Sequence, residues 1–258
     1  MTTRSSDYAG VQSNSQFLPY NWEDEDRFYT LHFALRDLFS SNVMPAVLPR
    51  LIKGACVVDI GCGNGPWITD MATQYSECEY VGVEPSVDML PEAMPLPNVR
   101  FEVADIMDKL PFESNSVDVV HIRAQGLQFK KEEWVKALRE VYRVLKPGGM
   151  VQLLELHNAV SLGNLDYDIA TKLGPILEES GFQLAQLKKK KVHFASDGRL
   201  GETFVAVTLR TFQAAQDFLA PLMGLDIDDY RHRVEMVCAQ CVKHNAHLTW
   251  YAYVGKKP

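Results

Sequence analysis

Long apolar runs are missing from this 258-residue chain. Without a stretch of about 18 apolar residues, no helix is expected to cross a bilayer. The first sixteen residues, MTTRSSDYAGVQSNSQ, lack the apolar centre that a secretory leader needs. Cysteine is scarce and odd in number: five, at spacings that make no disulfide framework. Free thiols in a reducing compartment are therefore expected. Excess positive charge is lacking too. Lys and Arg total 26 against 33 Asp and Glu, a net charge of −7. Neither nucleic acid nor an anionic membrane favours such a surface as its main partner. Internal repeats and low-complexity linkers are also absent. A soluble cytoplasmic protein is the expectation, with a nuclear location left open. Its 47% apolar residues are enough for one large α/β core.

Residues 1–20 are rich in Ser, Thr, Asn and Gln and read as a disordered tail. An acidic cluster at 23–26 suits the first turn of a helix. Phe28, Leu31, Leu35 and Leu38 follow at helical spacing, and Pro45 and Pro49 close a cap over 21–49. From 55 to 156, short apolar runs at 56–60, 80–83, 99–103, 117–122 and 150–156 read as strands. Helical patterns at 66–75, 86–94 and 132–145 fall between them. The last of these shows an apolar stripe of Val135, Leu138, Val141 and Leu145 and stops at Lys146-Pro147-Gly148-Gly149. Such alternation predicts βαβ units and a parallel sheet covered on both faces. The last third predicts a helix over 167–180, a strand over 183–194, helices over 202–219 and 227–245, and an aromatic strand over 247–254.

The chemistry concentrates at 57–66, V-V-D-I-G-C-G-N-G-P. A strand, a glycine turn and a helix bring a ligand onto bare backbone beside a helix N-terminus. Dinucleotide sites want G-x-G-x-x-G; here Pro66 stands where the third glycine would fall. Asp59 would be unwelcome beside a pyrophosphate but suits an ammonium group. Glu84, 25 residues on, ends the second strand and can accept from a ribose diol. Asp105 ends the third and can accept from an exocyclic amine such as that of adenine. An amine, a ribose and an adenine without phosphate describe S-adenosylmethionine.

Five ordered motifs carry a resemblance: V-V-D-I-G-C-G-N-G, V-G-V-E-P-S, V-R-F-E-V-A-D-I, L-P-F-E-S-N-S-V-D-V-V and V-L-K-P-G-G. Together they resemble class I S-adenosylmethionine-dependent methyltransferases over about residues 50–156. E-D-E-D-R-F-Y-T-L-H-F, V-V-H-I-R and G-R-L-G-E are similar to a fungal group of these enzymes. That group includes the velvet-complex regulator of secondary metabolism and many small-molecule methyltransferases. The resemblance implies a Rossmann-like, seven-stranded, mostly parallel sheet with an antiparallel last strand. It implies one domain over 21–258, with its core at 50–195 and 247–258. An insertion at 200–245, between the last two strands, would form a lid with the N-terminal cap.

By the same resemblance, Asp59, Gly61, Cys62, Gly63 and Gly65 would hold the methionine part of the cofactor. Glu84 would take the ribose, Pro85 and Met89 the adenine face, and Asp105 and Ile106 the adenine edge. Arg123 would lie near the tail, and Arg27 and His32 would close over it. Cys62 and Asn64 replace the more usual hydroxyl residues of this loop. Blander readings stand beside these: Asp105 and Arg123 as ordinary strand ends, His32 as a packed core histidine, Arg27 as a surface cation. His121, His157 and Glu155 are candidates for a general base, without a choice among them. Cys238-x-x-Cys241 has no second pair to complete a tetrahedral metal set and reads as core, so no metal is expected. Lys188 to Lys191 read as a solvated strand edge. The expected partner is a small-molecule methyl acceptor. A methyltransferase-like regulator working through protein partners is the alternative. A nicotinamide oxidoreductase comes third, opposed by Pro66 and Asp59.

Overall fold

The computed structural model describes residues 25–91, 96–157, 161–162, 165–166 and 168–258. The expected tail at 1–20 and the first residues of the acidic cluster lie outside these. In chain order the elements are α1 (Glu25–Phe39), β1 (Cys56–Ile60), α2 (Pro66–Gln74), β2 (Glu79–Glu84), β3 (Val99–Val103), β4 (Val117–Arg123), α3 (Lys131–Val144) and β5 (Leu145–His157). A two-residue ribbon follows, β6 (Ser161–Leu162) and β7 (Leu165–Asp166). Then come α4 (Ile169–Glu179), β8 (Gln183–His193), α5 (Gly198–Ala214), α6 (Gln216–Leu222), α7 (Ile227–Lys243) and β9 (His247–Lys256).

Seven strands form one sheet in the order β3-β2-β1-β4-β5-β9-β8. β1 pairs in parallel with β2 and β4, β2 with β3, and β4 with β5. β9 is antiparallel to both β5 and β8. The sheet is thus Rossmann-like and mostly parallel, with its last strand reversed. The chain order turns back between β1 and β4, the place where open α/β sheets offer a crevice. Register sets the site. Asp59 lies opposite Gly82 on one side and His121 on the other.

The central strands are apolar runs because both of their faces are covered. One apolar cluster joins α1, α2 and α5 to the sheet through Leu35, Trp67, Met71 and Phe204. A second joins α3 and α4 to the opposite face through Trp134, Leu138, Val141 and Leu173. The buried face of α3 is Trp134, Ala137, Leu138, Val141 and Val144, so the expected stripe is rotated by one residue and Val135 sits at its margin. Buried Gln152 of β5 ties the segment after α1 to the sheet: its side chain accepts from Met44 N–H (2.6 Å) and donates to the Asn42 carbonyl (3.1 Å).

Three expected elements come out differently. The helix expected over 86–94 is a single turn at Val87–Met89, and Leu90 is already extended at ψ 142°. Pro91 follows Leu90, and a residue before proline is pushed out of the helical region. Positions 92–95 lie outside the described residues. The helix expected over 202–219 is two helices broken at Ala215. The Tyr230 hydroxyl of α7 donates to the Phe212 carbonyl (2.8 Å), supplying a partner at the break. The strand expected from 150 begins at Leu145, directly after α3, and includes the Lys-Pro-Gly-Gly stretch. α5, α6 and α7 lie in the chain between β8 and β9, and α5 packs against α1.

Near the C-terminus a buried lysine closes the molecule. Lys257 Nζ donates to Asn115 Oδ1 (2.7 Å), the Tyr142 carbonyl (2.7 Å) and the Leu145 carbonyl (2.8 Å). The Tyr142 carbonyl belongs to the last turn of α3, which a helix leaves without internal partners, and Leu145 caps that helix. Removing the ammonium strands both carbonyls under β9. Lys257→Met is expected to lower stability by about 2 kcal/mol, the scale of charged hydrogen bonds lost in a buried place. Urea unfolding should show a lower midpoint at an unchanged slope; an unmoved midpoint would show that water serves these carbonyls equally well.

Candidate cofactor crevice

Gly61, Gly63 and Gly65 take left-handed conformations, at φ 68°, 56° and 81°. Gly65 is the residue that leads into α2, with Pro66 in the first turn. The direction of the loop's N–H groups decides its chemistry. Gly61 and Cys62 both donate to the Val83 carbonyl (2.8 and 3.2 Å). Gly63 donates to Glu84 Oε2 (3.1 Å). Three consecutive N–H groups are thus committed inside the protein. A phosphate cradle needs such groups aimed at the ligand, so this loop offers bare main chain and little for a pyrophosphate.

Glu84 is buried at the end of β2. Its other oxygen accepts from Ser86 N–H (3.3 Å). Burial pushes its carboxyl up despite these two bonds. Each oxygen keeps a further lone pair, so the group can still accept from neighbouring hydroxyls. Asp59 is buried beside the loop, and His121 Nδ1 meets its Oδ1 at 2.8 Å. Burial lowers the pKa of His121, so the neutral ring donates from Nδ1. That ring lies flat on Trp67, with centroids 3.9 Å apart. His121 is therefore a support for Asp59, sealed from any acceptor.

Arg123, where β4 ends, donates through Nη1 to His32 Nδ1 (3.0 Å). His32 Nε2 then donates to Asp70 Oδ2 (2.9 Å), an oxygen that also accepts from Arg36 Nη1 and Asn42 Nδ2 (2.9 Å each). The two contacts fix the tautomer of His32: proton on Nε2, lone pair on Nδ1. Burial, and next the Arg123 charge, lower its pKa to about 4. The network pins α1 to α2 and to the end of β4. A polar depression of about 640 Å³ on its outer side is lined by Arg36, Ser40, Asn42, Asp70, Thr73 and Gln74. It includes no loop residue and stands apart from the crevice.

The structure gathers Asp59, the three glycines and Glu84 around one turn, and Met89 Cε reaches to within 3.5 Å of where a Gly63 Cβ would stand. Cys62 is turned inward: its Sγ packs on Gly82 beside Phe101, in a space that suits a thiol. Asp105 Oδ1 accepts from Met107 N–H (2.8 Å), which leaves its second oxygen available. Ile106 packs into the core beneath α3, so only its main chain could face a ligand. Pro85 is exposed on the rim. Arg27 is buried, with its guanidinium 4.5 Å from the Phe28 ring, and is not the surface cation that was the blander reading. His157 meets Asp168 at 3.0 Å. Glu155 accepts from Gln125 N–H (2.8 Å) and Gly126 N–H (3.0 Å). Burial raises its pKa to about 8. It is engaged in holding the turn after β4.

Sequence reasoning missed Asp70 and Gln125. Asp70 carried no signal beyond a helical acid. Gln125 carried only its place, two residues past a strand that ends at the crevice.

The donor set fits S-adenosylmethionine. Asn64, in the middle of the loop, is buried with both amide atoms lacking a hydrogen-bond partner among the described residues, the condition of a group that awaits a ligand. Among those residues no group of three or more His, Cys, Asp or Glu is placed to hold a metal, and no helix is long and apolar enough to cross a membrane.

Comparison with known proteins points to the same kind of ligand. Residues 57–149 match the family model described as a methyltransferase domain. This core resembles that of the class I S-adenosylmethionine-dependent methyltransferases. It is similar to the secondary metabolism regulator LAE1 of Cochliobolus heterostrophus, 36% identical over 159 residues, 58% of this chain and 48% of that protein. It is also similar to the methyltransferase pytC of Aspergillus terreus, 27% identical over 153 residues, 59% of this chain and 45% of that protein. The chain thus spans under half the length of these two relatives. Among solved structures, the [4+2]-cyclase SpnF shares the fold at a TM-score of 0.60 and 19% identity, over 93% of this chain and 97% of the cyclase.

His32 makes stability depend on pH. Its folded pKa of about 4 lies below the ordinary 6.5. The unfolded chain therefore binds a proton between these values while the folded one does not. The stabilisation is whole above pH 6.5 and fades as pH falls towards 4. Gln at this position can still donate to Asp70 and accept from Arg123. From pH 7.5 to 5, the wild type is expected to lose about 2 kcal/mol more than His32→Gln in denaturant titrations. Equal losses would mean that the ring is protonated in place.

Proposed function

We propose that this protein transfers a methyl group from S-adenosylmethionine to a small-molecule acceptor, with secondary metabolism as its setting. The observation that carries this reading is the inward commitment of the Gly61, Cys62 and Gly63 N–H groups between two buried carboxylates. Such a crevice repels phosphate and favours a neutral ribose with a cationic tail.

In this reading Glu84 accepts from the ribose diol, and Asp105 with the Ile106 main chain reads the adenine edge. Met89 and Pro85 flank the base. Asp59, Cys62 and the glycines line the amino-acid tail, with Arg123 beside it and Arg27 and His32 closing from α1. The bound cofactor supplies a methyl on a sulfonium, a donor that needs no metal or acid. What remains for the chain is alignment and exclusion of water, and alignment alone can supply roughly 7–11 kcal/mol. α1 with α5 to α7 forms the lid and shapes the acceptor pocket. Five free cysteines support a cytoplasmic home.

A second reading, a regulator that works through a protein partner, is favoured by one observation. α6 and its flanks expose Phe212, Phe218, Leu222 and Met223. Turnover separates the two readings: a regulator would bind stoichiometrically without a methylated product, read by mass spectrometry over an acceptor panel.

Calorimetric titration is expected to show binding of S-adenosylmethionine and of its demethylated product, S-adenosylhomocysteine, and none of NAD. Glu84→Ala should weaken the first two by about 1–3 kcal/mol, the scale of a lost charged hydrogen bond. Binding of NAD alone would overturn the reading, and an unchanged Glu84→Ala affinity would overturn the placement of the ribose.

A further inference from the structure

Gln125 lies over the first loop glycine. A Cβ built on Gly61 would stand 2.5 Å from Gln125 Nε2, 2.7 Å from its amide carbon and 2.9 Å from Oε1. The same amide nitrogen donates to the Arg123 carbonyl (3.1 Å). So the side chain fills the space above Gly61, and its N–H occupies a main-chain acceptor at the end of β4.

The main chain beneath it is fixed. Ala124 takes φ 55°, a conformation that a non-glycine residue adopts only when its surroundings impose it. Its N–H donates to the Leu154 carbonyl (3.0 Å). Both oxygens of buried Glu155 clamp the next two N–H groups. Only the side-chain torsions of Gln125 are left to vary, and they are the softest freedom at this place.

We propose that the Gln125 amide is an internal stand-in for the ammonium of the ligand's amino-acid tail. The inference rests on the reading above, which puts that tail against Asp59 and Gly61. When a tail enters, the Gln125 Nε2–H bond to the Arg123 carbonyl breaks and an ammonium N–H bond to that oxygen replaces it. The exchange makes the crevice selective. A ligand bearing the ammonium restores the bond that it breaks. An adenosine thioether without the tail leaves Gln125 seated and gains nothing from the site. Gln125 is thus a selectivity residue that acts by yielding its place.

The test compares S-adenosylhomocysteine with methylthioadenosine, which has the nucleoside and sulfur but no tail. Gln125→Ala and Gln125→Asn, the second too short to reach the carbonyl, are expected to bind S-adenosylhomocysteine about three- to tenfold more tightly than the wild type. That is the range of one neutral hydrogen bond no longer broken on binding. Methylthioadenosine should bind all three proteins equally. Weaker or unchanged binding of S-adenosylhomocysteine by both variants, or equal tightening for the two ligands, overturns the exchange. A wild type that binds neither ligand overturns the functional reading beneath it. Far-ultraviolet circular dichroism of both variants is expected to match the wild type, because Glu155 holds only the Gln125 main chain.

Discussion

The left-handed turn between β1 and α2 is the constraint on which the rest of the molecule depends. A side chain at Gly61, Gly63 or Gly65 would strain the backbone, since L-residues seldom accept these angles. Their benefit lies in where they send the main chain. With Gly61 and Cys62 both bonded to the Val83 carbonyl, the turn is stitched to the end of β2. That stitch carries Glu84 up to Gly63. Gly82 then leaves room for Phe101 and the Cys62 thiol beneath the loop. The positions of both carboxylates follow from one backbone path.

Charge is managed by main-chain donors far more than by cations. Glu84 and Glu155 each accept two N–H bonds. Asp59 leans on a neutral histidine. The arginine beside them is Arg123, whose pKa burial lowers and the charges of Asp59 and Glu155 only partly offset. This balance leaves the crevice acidic yet stable, because a carboxylate held by N–H groups keeps lone pairs to offer outward. A phosphate ligand would meet like charge without compensating donors. A sulfonium with an ammonium tail meets the opposite. The electrostatics thus select a ligand class before any contact is considered.

What was legible in the sequence is what is local. The strand at 56–60, the glycines and Pro66 encode their turn within eleven residues, and the apolar runs of the central strands need no partner to be recognised. Glu84 stands at the end of β2 as expected, whereas Asp105 lies two residues past the end of β3. Val87–Met89 was misread as a helix because the helical pattern was weighed without Pro91. The break at Ala215 was invisible because Tyr230, fifteen residues away, supplies its partner. His32, Asp70 and Arg123 meet across separations of 38 and 91 residues, which no local pattern encodes. Gln125 was hidden for the same reason: its contact is with Gly61, on another strand's turn.

The network of His32 gives the cap a role beyond covering the sheet. Arg123 has two faces toward the rest of the protein. Its carbonyl holds the Gln125 amide above the glycine loop, and its guanidinium holds α1 through His32. Asp70 anchors the same histidine to α2, whose first residues issue from that loop. Hydrogen bonds run from α2 through α1 to the end of β4, and the packing of Gln125 over Gly61 closes these contacts into a ring beside the crevice. In such a ring a ligand that shifts one member must be accommodated by the others, since packed interiors yield in discrete steps. α5, which packs on α1, is thereby joined to the same ring. α6 and α7 pack against α5 in turn. Their arrangement is thus tied, through one arginine and one histidine, to what the glycine turn holds.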